Sequence, residues 1–251
     1  MATYKKRGSK PKSKVDKIEQ KSTTAEVFNT LDEKASKAEE WTVKNQKYIF
    51  TVVGLAAAIV LGYLGYKKFI ADPKAQEAMN EMYTAQKYFD QAVNGTAKDS
   101  LFTLALNGGE GKFGMLDIAD QYSGTPAGNL AHYYAGMAYL NLKDYANAIA
   151  YLEDFSSDDI MLSAIAKGGI GDAFAQLNQP KNALEYYEKA ISVSDNDFTA
   201  PMYLFKAGNI AMDLGENSKA LKYFKRIKEE FPSSSEATNI DEFIGKAEAS
   251  M

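Results

Sequence analysis

Nineteen consecutive positions, residues 48–66 (YIFTVVGLAAAIVLGYLGY), carry no charged side chain. As a helix rising about 1.5 Å per residue, the run is about 28 Å long, which matches the hydrocarbon thickness of a bilayer. A core helix of a water-soluble protein seldom reaches that length without one charge, so the run reads as a transmembrane helix. Tyr48 at one end and Tyr63 and Tyr66 at the other supply interfacial aromatics, and Lys44, Lys47, Lys67 and Lys68 bracket the span. The run is long for the apolar region of a signal peptide, and the following KKFIADPKA lacks a small-x-small cleavage site, so the helix is expected to stay as an anchor.

The charge balance divides at the same place. Residues 1–47 hold 12 Lys/Arg against 7 Asp/Glu, whereas residues 69–251 hold 15 against 26. Positive charge favours the cytoplasmic side, so the N-terminus is expected in the cytoplasm and the acidic remainder in a periplasm-like space, the anchor lying in a bacterial inner membrane. Residues 1–22 are Lys-rich and polar and read as a disordered basic tail that attracts membrane lipids rather than nucleic acid. Residues 23–47 open with Thr23-x-x-Glu26, a capping-box spacing, and Val27, Leu31, Ala35 and Ala38 then recur at helical intervals; this is an amphipathic juxtamembrane helix. Within the span, Gly54, Ala58 and Gly62 share one face with Gly65 nearby, a stripe on which a second transmembrane helix could pack closely.

Beyond the anchor the pattern is helical throughout. Residues 72–127 comprise a long helix, with Met79, Met82, Tyr83, Gln86, Phe89 and Val93 near one face, and a degenerate repeat whose first helix is DSLFTLAL. Three windows then repeat one arrangement: Gly, an apolar or aromatic residue three on, Ala twelve on, and a large residue sixteen on. They are Gly136, Tyr139, Ala148 and Leu152; Gly171, Phe174, Ala183 and Tyr187; and Gly208, Ala211, Ala220 and Phe224, closed by Pro232. The Gly-to-Gly steps of 35 and 37 residues mark a helix-turn-helix unit, with small residues where its two helices cross.

These residues resemble the tetratricopeptide repeat family over Asn129–Pro232. The family's opening Trp is replaced by His132, Lys167 and Leu204. The resemblance implies an all-α chain: one N-terminal transmembrane helix and a helical solenoid, with three repeats in 128–235 and a capping helix in 236–251. The layout of basic tail, anchor, long helix and small acidic repeat domain further resembles the YfgM family, ancillary subunits of the SecYEG translocon that partner the chaperone PpiD. That likeness implies a non-catalytic accessory that helps emerging envelope proteins by binding them. The competing expectation is a scaffold of another envelope-assembly or secretion complex.

No chemistry competes with binding. Zero cysteines exclude disulfides and thiolate sites, and a single histidine excludes multi-histidine metal centres. Gly109-x-Gly111-x-x-Gly114 matches a dinucleotide fingerprint in letters only, because no strand precedes it, and Gly168-Gly169-Ile170-Gly171 reads as the small-residue crossing inside the second repeat. His132 reads as packing. Neither catalytic residue, cofactor, metal nor small-molecule substrate is expected. The resemblance instead implies a concave groove lined by Leu130, Tyr133, Met137, Leu140 and Asn141 in the first repeat. The second repeat adds Ile165, Asp172 and Gln176, together with Gly168 and Ala175, and the third adds Met202, Phe205, Asn209, Met212 and Asp213. No Lys or Arg stands at these positions. A Met- and aromatic-rich strip suits a partner helix or an extended apolar segment, because methionine repacks around different shapes.

Overall fold

The computed structural model describes residues 23–193 and 195–251; the basic tail lies outside the described residues. The described residues divide into two compact units, with the boundary between Lys67 and Lys68.

In the first unit, α1 runs Thr23–Tyr66 as one 44-residue helix, without a break between the amphipathic stretch and the apolar run. No proline interrupts it, and polar side chains near the junction fold back onto the helix. Thr42 Oγ1, Asn45 Nδ2 and Thr51 Oγ1 each donate to the carbonyl four residues earlier. The apolar stretch is long and apolar enough to cross a membrane, and none of its most apolar window is buried by the rest of the protein. Gly54, Gly62 and Gly65 have no atom within 4 Å of the position a Cβ would take. A π turn, Lys67–Ala71, links α1 to the next helix.

The second unit, among its described residues, contains helices and no strands. Helix α2 (Asp72–Asn94) packs on α3 (Lys98–Asn107), and both lean on α5 (Pro126–Asn141) with α4 (Met115–Gln121). The helix α2 turns a different face inward from the one its larger side chains predict. Ala78, Met82, Ala85, Phe89 and Ala92 are buried, whereas Met79, Tyr83 and Val93 are about half exposed or more. Alanines on the inner line let α2 approach its neighbours closely, and the larger residues one step round the helix stay outside.

Three antiparallel pairs follow: α5 with α6 (Tyr145–Glu153), α7 (Ile160–Gln176) with α8 (Pro180–Val193), and α9 (Thr199–Asp213) with α10 (Asn217–Glu230). Each pair closes through the same tight turn. The residue in the left-handed region is Lys143 (φ 64°), Asn178 (φ 57°) or Gly215 (φ 74°). The next amide donates five residues back, from Asp144 to Tyr139, Gln179 to Phe174 and Glu216 to Ala211. That is the helix-ending motif that satisfies the last carbonyls. Side-chain caps start several helices: Thr125 Oγ1 accepts from the Gly128 amide, Asp144 from Asn147, and Asp159 from Met161 and Leu162.

The spacing of Gly with the residue sixteen on is realised as a contact in all three pairs. A Cβ placed on Gly136 would lie 2.5 Å from Leu152 Cγ, on Gly171 2.6 Å from Tyr187 Cε1, and on Gly208 2.4 Å from Phe224 Cε1. Neighbouring pairs are joined at a second period. Tyr186 donates to Glu153 across 33 residues, Lys206 to Asp172 across 34, Tyr223 to Glu188 across 35 and Arg226 to Asp195 across 31. These bonds tie each repeat to the next at separations of 31 to 35 residues. At the end, α11 (Ile240–Ala249) packs on α10 with Ile240 and Ala247 buried, covering an apolar face the last repeat would otherwise leave open.

Candidate protein-binding groove

The first helices of the three pairs approach one another closely, α5 with α7 and α7 with α9, while the second helices meet through side chains, Tyr186 with Glu153 and Tyr223 with Glu188. The first helices therefore form one continuous layer, the one on which the repeat resemblance places the groove.

Of the fifteen groove positions from the three repeats, fourteen are half-buried or exposed and only Gly168 is buried. They are not equivalent. Leu130 packs on the core of α2–α5, and Tyr133 and Met137 pack around Leu152, Ala166 and Ile170. Met202, Phe205 and Met212 pack on the core of the last repeats, and Phe205 is wedged edge-on against Phe243 at 4.8 Å and beside Phe224 at 6.1 Å. Phe205 is therefore as much a core residue as a lining one. Leu140, Ile165 and Asn209 are half-buried, and Asn141, Gln176 and Asp213 form an exposed polar rim.

The segment Gly168–Gly171 does more than cross one pair. A Cβ at Gly168 would lie 2.0 Å from Tyr203 on α9, and one at Gly169 would lie 3.1 Å from Leu152 Cδ1 and 3.5 Å from Met137 Sδ, while Gly171 faces Tyr187 on α8. Three glycines within a single turn thus admit these four side chains, three of them in adjoining repeats. The expectation of a crossing confined to the second repeat accounts only for Gly171.

In the middle of the strip, Asp172 is not a free carboxylate. It accepts from Lys206 Nζ at 2.7 and 2.8 Å and from the Tyr187 hydroxyl at 2.7 Å. The Lys206 ammonium also lies 5.9 and 5.7 Å from the rings of Tyr187 and Tyr203, which stack on each other at 6.2 Å. Lys206 follows the groove position Phe205 and belongs to no motif of the repeat. Its separation from Asp172 is 34 residues, short of the 37-residue step from Gly171 to Gly208, so the spacing does not mark it. The result is a floor that is neutral overall, aromatic and braced across two repeats.

His132 takes the place of the repeat's opening Trp. Its ring lies 5.6 Å from Tyr151, and its Nδ1 is buried without a hydrogen-bond partner. At the corresponding place in the third repeat Leu204 is completely buried. Among the described residues no group of three His, Asp or Glu is placed to hold a metal ion. The Gly108–Gly114 segment is a connection between α3 and α4 with Gly108 and Gly111 at positive φ.

Burial raises several tyrosines of this unit. The Tyr186 hydroxyl is pushed up to about 12 by burial and then by its hydrogen bond to Glu153. Tyr187, Tyr203 and Tyr223 are raised further, first by burial and then by Asp172 for the first two and Glu188 for the third. A raised tyrosine favours its neutral form in the fold, so its contribution is complete below the ordinary value of 10.0 and is lost as pH climbs toward 12. Tyrosinate absorbance followed beside far-ultraviolet circular dichroism is expected to show these groups ionising together with loss of helix. Ionisation of every tyrosine near the ordinary value with helicity intact would contradict the buried network.

Tetratricopeptide repeat family profiles match residues 130–158 and 169–235. No curated protein matches the chain. Among solved structures, the crystal structure of MamA protein is similar at 17% identity with a TM-score of 0.48, covering 69% of this chain and 81% of that one. The profile matches fall on the helix pairs whose crossing glycines and tight turns are described above, and the chain therefore carries tetratricopeptide repeats, a protein-binding architecture.

Proposed function

We propose that this protein is a single-pass inner-membrane subunit that works beside the SecYEG translocon with a PpiD-like chaperone, without catalysis of its own. The N-terminus lies in the cytoplasm, α1 crosses the bilayer, and the repeats stand in the periplasm where they hold a partner helix or a client segment. The observation that carries this reading is the coupling of an uncovered apolar helix to a repeat groove that is half-buried, Met- and aromatic-rich and internally neutralised at Asp172. Such a surface attracts apolar segments rather than charged tails: a carboxylate entering it would give up water without meeting an unpaired cation. Gly54, Ala58, Gly62 and Gly65 give α1 the close-packing face by which it joins membrane partners.

Crosslinking in intact cells, followed by mild-detergent purification through a C-terminal tag and mass spectrometry, is expected to recover SecY together with a PpiD-like chaperone. Recovery of a different envelope complex, with SecY absent, would move the protein to the role of scaffold for that complex.

A further inference from the structure

We propose that the first turns of the second unit, from Lys68 to Lys74, form a lipid-contacting surface seated where acyl chains meet headgroups. The proposal rests on the reading of α1 as a membrane span. Phe69 is 76% exposed and Ile70 56% exposed, and none of the residues of this π turn is buried. The inward line of α2 begins only at Ala78, so the repeat domain leaves this pair of large apolar side chains uncovered. Isolated exposed apolar residues are ordinary, but these two are adjacent, both large, and directly follow the apolar helix in sequence, with Phe69 three residues after Tyr66.

The chemistry around them selects lipid as the cover. Lys68 and Lys74 flank the pair and neither takes part in an ion pair among the described residues, whereas ten other pairs are formed elsewhere. Nearby acidic groups do not cancel both: Asp72 is one carboxylate, and Glu77 is engaged by the Tyr122 hydroxyl. An aromatic and an aliphatic residue between unpaired lysines is the arrangement that sits at a membrane boundary. The rings and branched chains enter the acyl region while the lysine stems lie along it and lift their ammonium groups to phosphate. A protein partner would have to bury two unpaired ammonium groups together with the apolar pair.

The chain has one tryptophan, Trp41, which makes a direct test simple. In a Trp41→Phe background the full chain carries either Phe69→Trp or Ile59→Trp and is placed in nanodiscs containing brominated phospholipid. Phe69→Trp is expected to emit at shorter wavelength than in water and to lose more fluorescence to bromine placed near the ester end of the chains than to bromine near their tips. Ile59→Trp is expected to show the reverse preference. If Ile59→Trp is quenched and Phe69→Trp emits as in water, the span stands and this surface is not in lipid. A blue-shifted but unquenched Phe69→Trp would mean protein covers it, which also overturns the proposal. If neither is quenched, the membrane reading falls and the proposal falls with it.

Discussion

Gly208→Leu is expected to destabilise the third repeat by about 3 kcal/mol through overpacking. At roughly 2–4 °C per kcal/mol for a chain of this size, the unfolding midpoint should drop by about 6–12 °C. The new Cβ alone would lie 2.4 Å from Phe224 Cε1 and 2.7 Å from its Cζ. Phe224 cannot swing aside, because it is completely buried with the rings of Phe205 and Phe243 beside it. The mechanism makes a sharper claim than the loss itself. Phe224→Ala should cost about 3–5 kcal/mol on its own. Combined with Gly208→Ala it should cost less than the sum of the two single changes, since removing the ring removes the clash. Circular dichroism melts of the single and double variants decide it; additive losses would mean that the crossing contact is not what the glycine serves.

That contact is the part of the fold most open to reading from sequence. A helix crossing needs one position without a side chain and one large residue opposite it, and the two must be separated by a fixed arc of chain. Gly136 with Leu152, Gly171 with Tyr187 and Gly208 with Phe224 therefore announce themselves by spacing. The turns between the paired helices do not. Only Gly215 carries the residue expected of the left-handed region, while Lys143 and Asn178 occupy it with side chains. The strain of about 1–2 kcal/mol at such a residue is within what the two closing backbone bonds and the packed helices can offset, so composition does not mark the turn.

Contacts between repeats were harder still to read. Gly168 and Tyr203 meet across 35 positions, and Asp172 and Lys206 across 34. Neither pair belongs to the repeat's own signature, because the signature records packing inside a unit and leaves its neighbours free. The inward face of α2 was hidden for a different reason. Alanine weighs little in a hydrophobic pattern, yet Ala78, Ala85 and Ala92 define the buried line because smallness, rather than apolar bulk, is what close helix packing requires. The groove positions inherited from the repeat family carry the same blind spot: they name Phe205 as lining without showing the rings of Phe224 and Phe243 that hold it.

The holding of Phe205 decides how the groove is best tested. Phe205→Glu would thrust a carboxylate against two core rings, so a loss of binding could reflect a loss of fold. Met137 raises the same objection, since it packs around Leu152, Ala166 and Ile170, whereas Asn141 is exposed and Asn209 half-buried on the first helices of the outer two repeats. Asn141→Glu with Asn209→Glu is therefore expected to keep the helical signal while weakening capture of an apolar partner segment tenfold or more. The estimate rests on two carboxylates that must be desolvated against an apolar ligand at about 1 kcal/mol or more each, with 1.4 kcal/mol for every factor of ten. Pull-down of the proposed partners, SecY and a PpiD-like chaperone, through the double variant measures it, with circular dichroism run on the same preparation. Binding that survives on an intact fold would exclude the concave strip and direct attention to the outward face of α2, where Met79 and Tyr83 stand exposed.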